Sequence, residues 1–324
     1  MKIETSLEKV LIAICTYRRP ELATTLSSLE HLDPCGMLVS VAIADNDAMP
    51  SAQSLVGNIA SKHHLPIIYL HAPESNIAVA RNALLDHARA TGVRLLVYLD
   101  DDETVEPAWL KHLVMAWRNS AAGAVLGPVH ACYQSGAPAW MVACRAHDTL
   151  PIIGRDAQII SGYTGNTLID LANSSIDGLC FDPLRGRSGG EDSAFFTDFL
   201  AAGGRIVFAP EAIAHETVSV DRAQMAWLLR RRYRMGQTHA SLTVSGWSLA
   251  GRLSVMAIAA AKALACCGIG LVNVMRPARR NYQLMRAALH IGVIAHLGGA
   301  HPIELYGTIP MHSNTSVHPR KTES

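Results

Sequence analysis

Short apolar runs recur along the first part of the chain, at residues 10–15, 38–44, 67–70, 95–99 and 124–129. Runs of this length, rich in Val, Ile, Leu and Ala and bounded by polar turn residues, read as strands buried on both faces. Between the first four lie residues 21–31, 51–61 and 78–90, where apolar positions return with helical spacing. Strands alternating with helices predict an α/β protein with a doubly wound, largely parallel sheet. Ligands of such sheets bind beyond the carboxyl ends of the strands.

Past residue 145 the pattern loosens, with Gly154, Gly162, Gly165 and Gly178 marking turns. A loop, Gly186-Arg187-Ser188-Gly189-Gly190, then leads into a helical segment at 191–202 and a strand at 205–209. Residues 253–275 are mostly Ala, Ile, Leu, Val and Met, broken by Lys262 and flanked by Arg252, Arg276, Arg279 and Arg280. A lysine at the centre of a span costs about 2.5–3.5 kcal/mol. A helix lying along a membrane surface is therefore expected ahead of a helical lid or dimer contact, with a true span last.

Charge sharpens this division. The 324 residues have a net charge of +1, but that value hides a split. Residues 1–221 hold 15 Lys and Arg against 25 Asp and Glu, whereas residues 222–324 hold 13 against 2. Three parts are expected: an acidic catalytic domain (1–221), a basic and apolar helical region (222–312) and a disordered polar tail (313–324). The basic region suits phosphate-rich lipid, or docking on the acidic body. A nucleic-acid partner is not expected, for aromatic stacking platforms and a docking motif are lacking. With 49% hydrophobic and 17% charged residues, disorder and coiled coil are excluded. Seven cysteines without CxxC spacing signal neither zinc nor a disulfide framework and suit reduced thiols in the cytoplasm. No secretory leader is expected, because the run at 10–15 is stopped by Arg18-Arg19-Pro20.

Polar residues gather where the sheet predicts a crevice: Thr16-Tyr17-Arg18-Arg19, Asp45-Asn46-Asp47 and Asp100-Asp101-Asp102-Glu103 each follow an apolar strand. Three consecutive carboxylates at a strand end repel one another unless a cation compensates, and Mg²⁺ or Mn²⁺ would bridge them to phosphate. The triplet would equally serve as an acidic start for a helix at 104–119. Glu191-Asp192 opens a helix after the glycine loop. Adjacent helical residues face different ways, so one carboxylate can serve as a general base while the other supports the loop, or both can be first-turn charges. Arg81 suits a diphosphate, or an exposed helix face. His215 suits a metal, or a structural role.

Taken in order, Cys15-Thr16-Tyr17-Arg18-Arg19-Pro20, Ala44-Asp45-Asn46-Asp47, Ala78-Val79-Ala80-Arg81-Asn82, Leu99-Asp100-Asp101-Asp102, Gly190-Glu191-Asp192 and His215 resemble the family-2 inverting glycosyltransferases. Segments including Leu126-Gly127-Pro128-Val129 and residues 231–238 resemble most the glucosyltransferases of succinoglycan-type exopolysaccharide synthesis. The resemblance implies the GT-A nucleotide-diphospho-sugar transferase fold and transfer of a hexose from a UDP-sugar, with glucose favoured and galactose as the alternative. A nucleotide-sugar-binding protein without turnover is the alternative from another class. By the same resemblance Thr16, Tyr17, Arg19 and Asp45 hold the nucleotide, with Asp45 on the uracil, and Arg81 contacts the diphosphate. Asp100 and Asp101 lie near the ribose and sugar. Asp102, with His215, binds Mn²⁺ or Mg²⁺, and Asp192 of the Glu191-Asp192 pair is the catalytic base. The role of Asp47 stays open. The basic region favours a lipid-linked acceptor, an undecaprenyl diphosphate oligosaccharide, at the cytoplasmic face of the inner membrane, with the protein attached peripherally. Trp140, Arg231, Arg232 and Arg234 are the candidate acceptor contacts.

Overall fold

The computed structural model describes residues 7–244 and 246–303; the tail expected at 313–324 lies outside the described residues. The strands are β1 (Lys9–Thr16), β2 (Leu38–Asp45), β3 (Ile67–His71), β4 (Leu95–Asp100), β5 (Glu103–Val105), β6 (Ala124–Leu126), β7 (Val129–Tyr133), β8 (Ile152–Ile153), β9 (Ile159–Ser161), β10 (Thr167–Asp170), β11 (Ile206–Phe208) and β12 (Ala214–Val218). The helices of the first part are α1 (Leu22–Ser28), α2 (Gln53–Ala60), α3 (Ile77–Ala90), α4 (Trp109–Ser120), α5 (Ala139–Ala143) and α6 (Glu191–Ala201). A seven-stranded sheet runs in the order β11-β6-β10-β4-β1-β2-β3. The pairs β1–β2, β2–β3 and β1–β4 are parallel, and β10 lies antiparallel between β4 and β6. The mixed α/β sheet expected of the GT-A fold is present.

The core follows the strand period of two. Val10, Ile12 and Ile14 of β1 face one layer with Leu22 and Leu26 of α1 and Trp109 and Leu113 of α4. Leu11 and Ala13 face the other, with Ala80 and Leu84 of α3 and Phe195 and Phe199 of α6. Both faces of the sheet are covered, so its polar residues can reach solvent only at the strand ends.

Two expectations fail next to that end. The run at 124–129 is not one strand: β6 belongs to the large sheet, whereas β7 joins a second, three-stranded sheet ordered β5-β12-β7. Pro128 has no N–H for a ladder, and its carbonyl instead accepts from Asn166 Nδ2 at 2.8 Å and from the Ala214 amide at 3.0 Å. Nor does a helix start after Asp102. Residues 103–105 extend as β5 and pair with β12, and the helix begins only at Trp109. This second sheet folds a further wall over the carboxyl end of β4.

Three long helices follow: α7 (Met225–Thr243), α8 (Leu249–Val272) and α9 (Pro277–Leu297). Helices α7 and α9 pack with little space between their backbones. Gly236 lies against the Leu289 carbonyl and Gly292 against the Tyr233 carbonyl, where no Cβ fits.

Candidate active site

The ends of β1, β2 and β4 are stitched into one loop cluster. The Asn46 amide donates to the Thr16 carbonyl at 2.8 Å. Thr16 Oγ1 donates to Asp101 Oδ2 at 2.7 Å, and Thr25 Oγ1 to the Asp101 carbonyl at 2.9 Å. Burial pushes the Asp101 carboxyl up to about 7, against the pull of the Thr16 hydrogen bond and with the neighbouring Asp102 adding to the rise. Tyr17 sits half-buried at the rim, under the guanidinium of Arg18 at 5.3 Å.

Asp45 is built into the same loop cluster. It is fully buried, with Oδ2 accepting from the Ala52 amide and Tyr69 Oη, both at 2.8 Å, and Oδ1 accepting from the Asp47 amide at 3.1 Å. With three internal donors, it shapes the loop after β2. Asp47, left without a role by the sequence, is paired with Arg18 through Nε–Oδ2 at 2.7 Å and Nη2–Oδ1 at 2.9 Å. That fork holds the Asp47 carboxyl below its ordinary value.

Asp100, Asp102 and Glu103 form the acidic floor. The Asp100 amide donates to Glu103 Oε2 at 3.1 Å. Burial pushes the Asp100 carboxyl up to about 6; Arg81 opposes the shift, while Asp102, Glu216 and Asp192 add to it. Burial likewise raises Glu103 well above the usual carboxylate range, with Asp100 contributing. Asp102 Oδ2 lies 3.2 Å from Arg222 Nη1 and 3.8 Å from Arg19 Nη2. The other arm of Arg222 binds Glu216, and its guanidinium lies over the Trp227 ring at 5.1 Å.

His215 is not on this floor. It pairs through the backbone with Thr104, its Nδ1 lies 3.7 Å from Cys132 Sγ, and its ring faces His130 at 6.3 Å. Alternation along β12 turns it to the opposite face from Glu216, and Glu216 shares Arg222 with Asp102. The sequence missed Glu216 and Arg222, because only the β5–β12 pairing brings them beside Asp102. Among the described residues no three His, Cys, Asp or Glu side chains converge as a metal cage. The donor set nevertheless fits a divalent cation. Asp102 and Asp100 offer carboxylate oxygens, the donor type that such ions take, with phosphate oxygens and water completing the shell.

The remaining carboxylates arrive on α6. The loop ahead of it turns through Gly189 and Gly190, at φ +80° and +94°, a region that favours glycine. Glu191 then points inward, buried and ion-paired to Arg81, while Asp192 is half-buried with Oδ1 2.6 Å from the Ser193 amide. Glu191 thereby supports the loop and is not placed as a base. Burial raises its carboxyl, while Arg81 pulls it down. Arg81 is itself buried, lies 3.9 Å from Asp100 Oδ1 and stacks over Phe181 at 5.8 Å. Its guanidinium ties α3 to α6 and the floor rather than reaching outward to a diphosphate. Asp100 feels the charge of both Asp102 and Asp192, so both carboxylates lie near the carboxyl end of β4.

The candidate acceptor residues do not form one site. Trp140 packs into a cluster with Tyr133, Met141, Trp227 and Met285. Arg231 lies over the Trp227 ring at 5.4 Å, and burial lowers the pKa of Arg232 beside it. Arg234 alone of the four reaches the catalytic loop, where Nη1 donates to the Ser188 carbonyl at 3.0 Å. It also lines a cavity of about 270 Å³ with Arg185, Gln237 and His296.

Against known proteins, residues 11–171 match the family described as glycosyl transferase family 2. Succinoglycan biosynthesis protein ExoM of Rhizobium meliloti (strain 1021) is 44% identical over 297 residues, 91% of this chain and 95% of that protein. The mannosyltransferase PcManGT from Pyrobaculum calidifontis, solved with GDP-Man and Mn²⁺, superposes with a TM-score of 0.62 at 20% identity, covering 90% of this chain and 88% of its own. S. aureus TarS 1-349 superposes with a TM-score of 0.51 at 16% identity, over 88% of this chain and 92% of its own. These two structures share the fold.

Proposed function

The chain belongs to glycosyl transferase family 2, and on that premise we propose that it transfers glucose from UDP-glucose to a lipid-linked oligosaccharide in succinoglycan-type exopolysaccharide synthesis. The observation that supports the reading is that Asp102, beside the carboxyl end of β4, and Asp192, in the first turn of α6, both lie near enough to Asp100 for their charges to raise its carboxyl.

Asp192, half-buried at the first turn of α6, accepts the proton of the acceptor hydroxyl. The hydroxyl oxygen then attacks the anomeric carbon from the face opposite the diphosphate. The new glycosidic bond forms as the carbon–oxygen bond to phosphate breaks, and its electron pair leaves on UDP, inverting the anomeric centre. A positioned base of this kind contributes about 10²–10⁴-fold. Asp102 and Asp100 would hold the divalent cation, Mn²⁺ or Mg²⁺, which when bound neutralises charge on the departing diphosphate. Arg222 keeps Asp102 beside Glu216, and Arg19 adds exposed positive charge 3.8 Å from Asp102 Oδ2. Thr16 and Tyr17 form the nucleoside rim, and Arg81 with Glu191 fixes the start of α6. The acceptor's lipid places the work at the cytoplasmic face of the inner membrane, with the protein bound peripherally.

The test is incubation with membrane lipid-linked acceptors and radiolabelled UDP-sugars, with and without Mn²⁺. Label is expected on lipid from UDP-glucose in the presence of the ion. Label from UDP-galactose instead would reassign the donor. UDP binding without transfer from any sugar would leave a nucleotide-sugar-binding protein and sink the proposal.

A further inference from the structure

The α8 helix is built inside out for a helix surrounded by water. Its buried stripe is small, made of Ala259, Ala263, Cys266 and Gly270 packed towards α9. Its large side chains face away: Leu264, Leu271 and Val272 are between 74% and 86% exposed, Leu253 joins them, and Met275 follows just past the helix end at 87%. A surface helix of a soluble protein turns its large apolar residues to the core. Here close packing of small residues has left the apolar bulk outside, as one uncovered patch.

Charge identifies what covers it. Between Arg222 and Ile303 there are eleven Lys and Arg and no Asp or Glu. A second copy of the chain would bring the same excess of positive charge face to face, whereas an anionic bilayer supplies both apolar depth and opposite charge. Trp247, just before α8, and Tyr282 on α9 are about half exposed, and such rings favour the headgroup level.

We propose that the outer face of α8 is the surface on which this protein sits, its axis parallel to an anionic lipid bilayer. The helix is long and apolar enough to cross, with 24 residues and a mean hydropathy of 2.1 over its best window. Crossing would strip it from α9 and break the bond from Arg252 Nη2 to the Leu297 carbonyl at 2.9 Å. Lys262 fits the parallel arrangement. Nine residues after Leu253 and two before Leu264 on α8, it projects from the opposite side of the helix to those leucines, which places it away from lipid. The inference rests on the proposed lipid-linked acceptor only for the purpose of such a surface.

The test uses the full chain, without any sugar, and vesicles of phosphatidylcholine alone or with phosphatidylglycerol. Flotation is expected with the anionic vesicles, weakened by salt. The double variant Leu264→Glu/Leu271→Glu should lose about tenfold or more in vesicle affinity, while Leu38→Glu at the far end of the sheet should leave it unchanged. Both lie on exposed positions, and circular dichroism checks the fold. Equal flotation of wild type and double variant overturns the proposal. So does resistance of the membrane-bound protein to alkaline carbonate, which marks a span. A dimer that the double variant dissociates, with no vesicle binding, assigns the face to a second copy. Because the assay contains no sugar, it can fail while glycosyl transfer stands, and the reverse.

Discussion

The crevice and the C-terminal helices carry opposite departures from ordinary protein economy. The crevice draws Asp101, Glu103 and Glu191 away from water, and burial raises all three carboxyls. The helices instead expose Leu264, Leu271 and Met275 to water. Each arrangement is unfavourable in the isolated chain, and each becomes favourable with a partner of the matching kind: a cation and diphosphate for the first, lipid for the second. The junction between them is conventional by contrast. There His147 is buried, stacked on Trp227 at 5.3 Å, and hydrogen-bonded to Tyr133 at 2.9 Å and the Arg222 carbonyl at 3.0 Å.

The contrast can be broken most sharply at Asp192. Asp192→Asn should lower transfer by about 10²–10⁴-fold while UDP affinity, read by calorimetry, stays within a few-fold; equal loss of both would remove Asp192 from the role of base. Next is Arg81→Ala, which leaves Glu191 buried without its cation. Denaturant unfolding should show a loss of about 3–5 kcal/mol, with Glu191→Gln costing less; a neutral result would mean that the pair is not buried in solution.

The junction offers the third. Burial pushes the His147 pKa down from 6.5 to about 4, so the unfolded chain takes up this proton first as the pH falls. The stability from keeping His147 neutral is complete above about pH 6.5 and is lost towards pH 4, on the order of 3 kcal/mol. Thermal melts should fall across that window, and more shallowly in His147→Gln. The smallest effect belongs to Arg222→Gln, which removes the tether between Asp102 and Glu216. The ligand-free melting temperature should drop by a few degrees, about 1 kcal/mol, and added Mn²⁺ should raise it more than in wild type. An equal Mn²⁺ response would show that the guanidinium and the ion do not share these carboxylates.

Much of the fold was legible because its signals are local. The first four strands and the helices between them follow from apolar spacing, and the Asp triplet from its position after a strand. What failed depended on pairing between distant segments. Residues 103–105 carry no strong strand signal, and β5 exists because β12 lies beside it. His215 and Glu216 are adjacent in sequence and equally plausible as ligands; strand alternation alone turns Glu216 towards Asp102. The hydrogen bonds that Asp45 accepts from Tyr69 and two amides could not be read from its place at a strand end.

The sequence by itself determined the chemistry available: the carboxylates at strand ends, the glycine loop before α6, and a C-terminal stretch poor in acids. Those are properties of residue type and order, which survive any folding. Tertiary structure decided that Glu191 is buried and occupied by Arg81 while Asp192 stays half-buried, and that α8 packs its small residues inward and leaves its leucines outside. Direction is the reason. A side chain's bearing is fixed by the backbone and neighbours that pack around it, and the order of residues does not contain it.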